Sequence, residues 1–245
     1  MVLLETVKKM VGSGWNKDKS DWTYSSVSAT YGYSTLTIDD GDASGYLQPG
    51  DKIKVINGGV VKYFIVLYVN YSDPDTTVIG WGGTDYTLVD SAITETYYSH
   101  AKSPMGFPME KSKWSIVETS STTQTNPVSG TYYNADSIAI PLGIWDVKYS
   151  AMVYSYGTDL NLYIYNYLTL SDTSGNDEGD AEWRSLFFWR GGGNIARLGA
   201  WLTQHGQLEL EASASYFVNG AVTFNTDVDN LQMNSLRIVA TCAYL

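Results

Sequence analysis

The stretch that decides the fold reads Leu160-Asn161-Leu162-Tyr163-Ile164-Tyr165-Asn166-Tyr167-Leu168-Thr169-Leu170. Large apolar and aromatic residues dominate it, and the 3.6-residue period of an amphipathic helix fits it poorly. In a β-strand, alternate side chains point to opposite faces, so Tyr163, Tyr165 and Tyr167 share one face. The apolar residues between them lie on the other face, which we expect to pack inward. The tyrosine face would then meet either a second sheet or a neighbouring subunit.

Strand-like patterns of this kind recur through residues 138–245. The predicted strands are Asp136–Ile140, Gly143–Ser155, Leu160–Leu170, Arg184–Trp189, Ala196–Leu202, Leu208–Ser215, Ala221–Asn225 and Leu236–Tyr244. About eight short strands, spaced roughly 8 to 12 residues apart, are typical of a sandwich or barrel and suit a jelly roll. Gly191-Gly192-Gly193-Asn194 is expected to be a flexible turn, because no Lys-Ser/Thr pair follows it as in a phosphate-binding loop.

Residues 15–109 are predicted to form a smaller, barrel-like β-domain. Asn57-Gly58-Gly59 separates two alternating stretches, and an Asn-Gly pair tolerates the positive φ of a tight hairpin turn. The domain boundary is placed near Met109, and Trp114–Val117 is a candidate for the first strand of the second domain. The low-hydrophobicity stretch beyond it contains Ser120–Pro127, which we expect to be a loop or linker.

The remaining parts complete an all-β chain with a short N-terminal helix. Residues 110–245 are predicted to form the jelly-roll sandwich. Residues 1–14 are predicted to be an N-terminal helix or arm, because the apolar residues of segment 2–11 follow one helical stripe. Charges interrupt that segment, so it lacks the continuous apolar core of a secretion signal, and we expect synthesis in a bacterial cytoplasm.

The composition restricts the classes of function. The formal net charge is −11, whereas nucleic acids and anionic membranes need a Lys/Arg surface, so we expect neither as a partner. No apolar run approaches the roughly 20 residues that span a bilayer. Charged residues make up only 17 %, while Tyr and Trp number 20 and 8. Such amphipathic rings fill cores, subunit interfaces and sugar-binding shelves, which favours a structural or binding protein.

The chain is poor in side chains that support catalysis. Its two histidines, His100 and His205, fall in different predicted domains, where we expect loop or surface positions. No Gly-x-Ser-x-Gly, His-Glu-x-x-His or Cys-x-x-Cys pattern is present. The single cysteine, Cys242, permits no intrachain disulfide and is expected to be a buried residue of the last strand. We therefore expect a protein that is not an enzyme and that has no cofactor, apart from a possible Ca²⁺ ion.

Carboxylates cluster in and after one loop, at Asp172, Asp177, Glu178, Asp180 and Glu182. A solvated hairpin tip is the first expectation. Oxygen-rich loops also bind Ca²⁺, and Asp172, Asp177 and Asp180 are the candidate ligands, although their spacing is not that of an EF-hand. Two carboxylates that flank a glycosidic bond would make a glycosidase, but the sequence places no pair at a defined distance.

Aromatic residues near the glycine turn are candidates for stacking on sugar rings. The residues chosen for such a site are Trp183, Trp189 and Trp201, with Tyr163 and Tyr165 of the tyrosine face. The alternative is that these rings fill the sandwich core or line the axis of a trimer.

Several segments, in this order, resemble a module of tailed-bacteriophage minor structural proteins and tail or fibre proteins. They are Gly50–Val55, Lys62–Val66, Thr76–Ile79, Gly82–Leu88, Tyr97–Ser99 and Pro104–Pro108, and they span roughly residues 15–110. The C-terminal part is similar in its strand pattern to the trimeric jelly-roll heads of phage fibres. Its first strands fall at Ile138–Val147 and its last at Ser235–Thr241. Those heads are similar in kind to tumour-necrosis-factor and complement C1q heads.

The resemblance implies a homotrimeric virion component, displayed on a tail, baseplate or capsid. Its N-terminal region would anchor it to other virion proteins, and its C-terminal head would be exposed and could bind a host cell-surface saccharide. It implies no catalytic residue. Two alternatives remain open from the residues, namely a carbohydrate-binding or adhesin domain of a bacterial surface protein and a glycan-degrading enzyme that uses the acidic loop.

Overall fold

The structure is a computed structural model of the chain. It describes residues 13–157, 162–176, 183–191, 197–225 and 228–245. The strands are β1 (Asn16–Asp18), β2 (Asp21–Val27), β3 (Tyr33–Asp39), β4 (Lys52–Asn57), β5 (Val60–Ser72), β6 (Asp75–Trp81), β7 (Ile93–Ser99), β8 (Ser115–Thr125), β9 (Tyr132–Ile140), β10 (Gly143–Tyr156), β11 (Leu162–Ser171), β12 (Arg184–Gly191), β13 (Arg197–Leu210), β14 (Ala214–Phe224) and β15 (Asn230–Cys242). A 3₁₀-helix, η1 (Lys111–Trp114), precedes β8.

The predicted all-β class is confirmed, because strands make up nearly all of the regular structure. The helix predicted over residues 2–11 lies outside the described residues. Within the ranges that the structure describes, no helix is both long enough and apolar enough to cross a membrane.

Strands β1–β7 form one antiparallel sheet, which we call the N-terminal unit, in the order β1-β7-β4-β5-β6-β3-β2. Its edge strands β1 and β2 are consecutive in the chain, with only Lys19 and Ser20 between them. This short link brings the two edges together, and β2 contacts β7, so the sheet has the barrel-like form that was predicted. Its core includes Leu36, Ile53 and Phe64, all fully buried.

The turn between β4 and β5 is the tight hairpin predicted at Asn57-Gly58-Gly59. Gly58 and Gly59 have φ angles of 60° and 78°, the positive values that a two-residue primed turn requires. The side-chain nitrogen of Asn57 donates to the carbonyl oxygens of Val89 at 3.1 Å and Ser91 at 2.9 Å. The hairpin is thereby tied to the segment that leads into β7.

Strands β8–β15 form two antiparallel four-stranded sheets, which together we call the C-terminal sandwich. Their orders are β13-β10-β15-β8 and β12-β11-β14-β9. Along the chain, the first, third, sixth and eighth of these strands share one sheet, and the other four share the second. The chain therefore crosses between the sheets after every strand except β11, which is the topology of a jelly roll.

One local prediction in the sandwich was wrong at its first strand. The predicted loop or linker at Ser120–Pro127 is largely part of β8, which continues to Thr125. β8 is an edge strand, so its Ser, Thr and Gln side chains can meet solvent, and β-branched Thr suits a pleated strand. The low hydrophobicity of this segment therefore reflects an exposed edge strand.

A second correction concerns the strands predicted at Ala196–Leu202 and Leu208–Ser215. One continuous strand, β13, runs through both as far as Leu210. The glycine between them, Gly206, lies against the ring of Trp183, and a β-carbon there would be 2.7 Å from that ring. Gly206 is thus a packing site within one continuous strand.

Tryptophans join the N-terminal unit to the C-terminal sandwich. Trp81 ends β6, and its ring meets Trp145 of β10 edge-on, with centroids 4.7 Å apart. It also meets Trp114 of η1 at 5.9 Å, and Phe107 stacks on Trp114 at 4.9 Å. Trp114 and Trp145 are fully buried. One continuous apolar core therefore crosses from one unit to the other.

A buried lysine adds a polar contact between the same two units. The ammonium group of Lys52 donates to the carbonyl oxygens of Gly50 at 2.6 Å and Tyr244 at 2.8 Å. Burial lowers the pKa of Lys52. The change from one sheet system to the other falls between Ser99 and Ser115, and the domain boundary placed near Met109 stays a prediction.

Cys242 lies in the last strand and is 1 % exposed, as the sequence predicts. Burial raises the pKa of its thiol to about 12, so the reactive thiolate is scarce at pH 8. We expect native protein to resist an aromatic disulfide reagent at pH 8 and unfolded protein to react with one equivalent in guanidinium chloride. Stoichiometric labelling of the native chain within minutes would contradict this.

Candidate functional site

The outer surface of the β12-β11-β14-β9 sheet carries a continuous set of rings and aliphatic side chains. We call it the aromatic face, and it comprises Tyr132, Tyr163, Tyr165, Tyr167, Leu186 and Phe188. The alternation of β11 produces it, because Ile164 and Leu168 are fully buried inside the sandwich and the tyrosines beside them point outward. This is the orientation that the tyrosine-rich stretch predicts.

Cross-strand pairing holds these rings in place. Tyr165 lies directly opposite Phe188 in the antiparallel register, with ring centroids 4.5 Å apart and planes at 26°. Tyr165 also stacks near Tyr167 at 6.2 Å and meets Tyr163 edge-on at 5.8 Å. Aromatic pairs across strands contribute roughly 0.2–1 kcal/mol each. The rings therefore form an ordered surface whose shape is set before any partner binds.

The aromatic face is most open beside β12, which is an edge strand of its sheet. Leu186 is 51 % exposed, Phe188 46 % and Tyr163 38 %. Edge strands of soluble proteins are usually covered or charged, because they offer a template for association. Large apolar side chains grouped at such an edge therefore indicate an interface.

The predicted sugar-stacking residues do not meet in one place. Trp183 is half-buried against Gly206, and its carbonyl oxygen accepts a hydrogen bond from the hydroxyl of Tyr149. Trp189 lies opposite the buried Ile164 and so faces the inside of the sandwich. Trp201 is 60 % exposed, on the outer surface of the other sheet.

Only Tyr163 and Tyr165, of the five chosen residues, lie side by side on one surface. Whether any of the five binds a saccharide stays a prediction. Phe188 and Leu186 are not among those five residues, although they complete the aromatic face. The signal that could have found them is the alternation of β12, once Phe188 is set opposite Tyr165.

The acidic loop after β11 is described only in part. Asp172 is exposed and accepts a hydrogen bond from the hydroxyl of Thr173 at 2.8 Å, whereas Asp177 and Asp180 lie outside the described residues. Asn219 secures the start of the loop by donating to the carbonyl oxygens of Thr173 and Asn176. Over the described part of the chain, no three His, Cys, Asp or Glu side chains are grouped as metal ligands. Calcium binding by the whole loop stays a prediction.

The two histidines lie in different units of the fold. His100 follows β7, and its Nδ1 is 2.9 Å from Oδ1 of the buried Asp51. The other carboxylate oxygen of Asp51 accepts the backbone N–H of Gln48 at 2.9 Å, so this pair orders the turn before β4. His205 is exposed on β13. Both are surface positions, as expected.

No family model matches the chain, and no curated protein sequence is similar to it. Similarity is found to solved structures of infectious bursal disease virus. They include the Gt strain, with 9 % identity, a TM-score of 0.33 and coverage of 90 % of this chain and 55 % of that one. The VP2 subviral particle has 11 % identity and a TM-score of 0.33, with coverage of 91 % of this chain and 58 % of that one. The T=1 particles derived from the virus have 10 % identity and a TM-score of 0.34, with coverage of 91 % of this chain and 56 % of that one. The chain spans little more than half the length of the chains it matches, and likeness at this level establishes neither a family nor a function.

Proposed function

We propose that the chain is a virion structural protein whose C-terminal sandwich forms the head of a homotrimer. The observation that carries the proposal is the exposed aromatic face on a jelly-roll sandwich. The finer assignment, to a tail, baseplate or capsid fibre of a tailed bacteriophage, rests on the sequence resemblance. The virion is the location that follows from this function.

The aromatic face has the composition of an interface core. Interfaces are enriched in Tyr, Phe and Arg, and the exposed Arg190 lies opposite Tyr163 beside the exposed Phe188. Closed symmetry covers such a patch without leaving a growing edge. A threefold arrangement would bury β12 of each copy against its neighbour.

The N-terminal unit is proposed to anchor the head to other virion proteins. Val60 and Val61 project from the β4–β5 hairpin with 58 % and 44 % exposure, and Val89, near Gly58 of the same hairpin, is 50 % exposed. Exposed valines around this hairpin are suited to a protein contact. The tryptophan core between the units would keep the head in a fixed orientation on this anchor. We propose no enzymatic step for the chain.

The aspartate substitutions L186D and F188D test assembly when combined in one chain. We expect wild type to have three times the 27.0 kDa mass of the chain at micromolar concentration, and the double variant to be a folded monomer, because two buried carboxylates per interface would be desolvated. Light scattering coupled to size exclusion measures the mass, and circular dichroism verifies the fold.

A matched control is V117D, which places one carboxylate on edge strand β8 at a side chain that is 43 % exposed, against 46 % for Phe188. We expect V117D to remain trimeric. A monomeric wild type, or a trimeric L186D/F188D variant, counts against the proposed interface. Mass spectrometry of purified particles separates a virion protein from a bacterial surface adhesin, since only the former is present in stoichiometric amounts.

A further inference from the structure

A shallow depression of about 610 Å³ lies on the outer surface of the β13-β10-β15-β8 sheet. This is the side of the sandwich opposite the aromatic face. Small-molecule sites typically measure about 300–1,000 Å³. Its lining includes Lys111, Lys148, His205, Gln207 and Arg237, and all five are exposed.

The strand register groups the basic side chains. His205 lies directly opposite Lys148, and Arg237 lies opposite Ser150, two residues further along β10. Lys148 and Arg237 are therefore diagonal neighbours on the same surface, with Cα atoms about 7–8 Å apart. Two long cationic side chains at that separation can reach one anionic group from two sides.

The charge of the depression is opposite to that of the chain. The chain carries a net charge of −11, yet Asp146 is the one acidic residue in this lining beside three Lys and Arg residues. The carboxylate of Asp146 accepts a hydrogen bond from the side-chain nitrogen of Gln207 at 3.1 Å. Among the described residues, Lys148 and Arg237 form no salt bridge. Their charges are thus available to an anionic ligand.

An exposed indole lies on the same surface. Trp201 is four residues from His205 along β13, or about 13 Å for a strand, and it is 60 % exposed opposite Met152. An indole face accepts the C–H surface of a sugar ring. The planar guanidinium group of an arginine can donate two parallel hydrogen bonds to one carboxylate.

We propose that this surface binds an acidic saccharide, with a carboxylate or sulfate group between Lys148 and Arg237 and a neighbouring sugar ring on Trp201. The inference rests on the proposed function in one respect, since assembly through the aromatic face would turn this opposite surface outward. A long nucleic acid is a poorer fit, because the basic patch is small and the rest of the chain repels a polyanion.

Calorimetric titration of the full chain with tetragalacturonate tests the inference. Its methyl ester is the matched neutral probe, because it keeps the sugar rings and masks the carboxylates. We expect binding of the acid to exceed binding of the ester at least tenfold and to weaken as NaCl is raised. The double variant K148Q/R237Q should lose at least tenfold in affinity for the acid.

The charge-matched control is K19Q/K102Q, which removes two exposed lysines from the N-terminal unit and should bind as wild type. W201A should weaken tetragalacturonate binding while inorganic sulfate still competes at the basic pair. Equal binding of acid and ester, equal loss in the two double variants, or tighter binding of a single-stranded oligonucleotide overturns the inference. Light scattering on the same samples separates the two proposals. A trimer that does not bind tetragalacturonate overturns only the saccharide site. A monomer that binds tetragalacturonate overturns only the proposed trimer.

Discussion

Replacing Trp145 with alanine is expected to lower the free energy of unfolding by about 3–5 kcal/mol, the usual cost of removing a large buried aromatic side chain. Trp145 is fully buried, and its ring lies 4.7 Å from Trp81 of the N-terminal unit. The substitution therefore opens a cavity where the two units meet. For a chain of this length the melting temperature should fall by about 6–20 °C. Loss of the contact should also separate unfolding into two transitions in calorimetry, because the units would no longer unfold together.

The matched control for this prediction is Trp201→Ala on the neighbouring strand β13. Trp201 has the same side chain but is 60 % exposed, so its loss should change the free energy of unfolding by no more than about 0.5 kcal/mol. Guanidinium denaturation followed by circular dichroism measures both variants. Similar losses in the two variants would mean that the tryptophan core does not hold the units together.

Much of the fold could be predicted because alternation is a local property of the sequence. The tyrosine-rich stretch assigned the two faces of β11 correctly, with Ile164 buried and Tyr163 exposed. The part of β8 beyond Val117 could not be predicted in the same way, because an edge strand needs little apolar surface. The contact of Trp81 with Trp145 was also out of reach, since alternation tells which face a residue occupies and not which distant residue covers it.

The candidate site was predicted only where one strand was sufficient to define it. Tyr163 and Tyr165 share a face by their spacing alone. Phe188 joins them only through the register between β11 and β12, and this register cannot be derived from the sequence of either strand alone. Trp183 and Trp201 looked equivalent in sequence, but one closes the sandwich against Gly206 and the other meets solvent. The basic side chains of the depression come from strands that are far apart in the chain, so the sequence does not show that they meet. The net charge of −11 instead argued against any site for an anion.

Replacing Gly83 with alanine is expected to cost about 3 kcal/mol or more, because it combines a strained backbone with a steric clash. Gly83 has a φ of +65°, and an added β-carbon would lie 2.1 Å from the carbonyl oxygen of Lys113. That oxygen also accepts the backbone N–H of Thr84 at 2.9 Å. The clash would push away η1, which places Trp114 against Trp81 at the contact between the units.

Two other glycines of the N-terminal unit separate the strain from the clash. Gly59 has a φ of +78° and Gly45 has no positive φ, and at both a β-carbon would meet open space. G59A should therefore lose only the backbone cost of about 1–2 kcal/mol, whereas G45A should be neutral or gain up to about 1 kcal/mol. Chemical denaturation of the three variants should rank them G45A, G59A, G83A in falling stability. A G83A variant no less stable than G59A would mean that η1 is not held against Gly83.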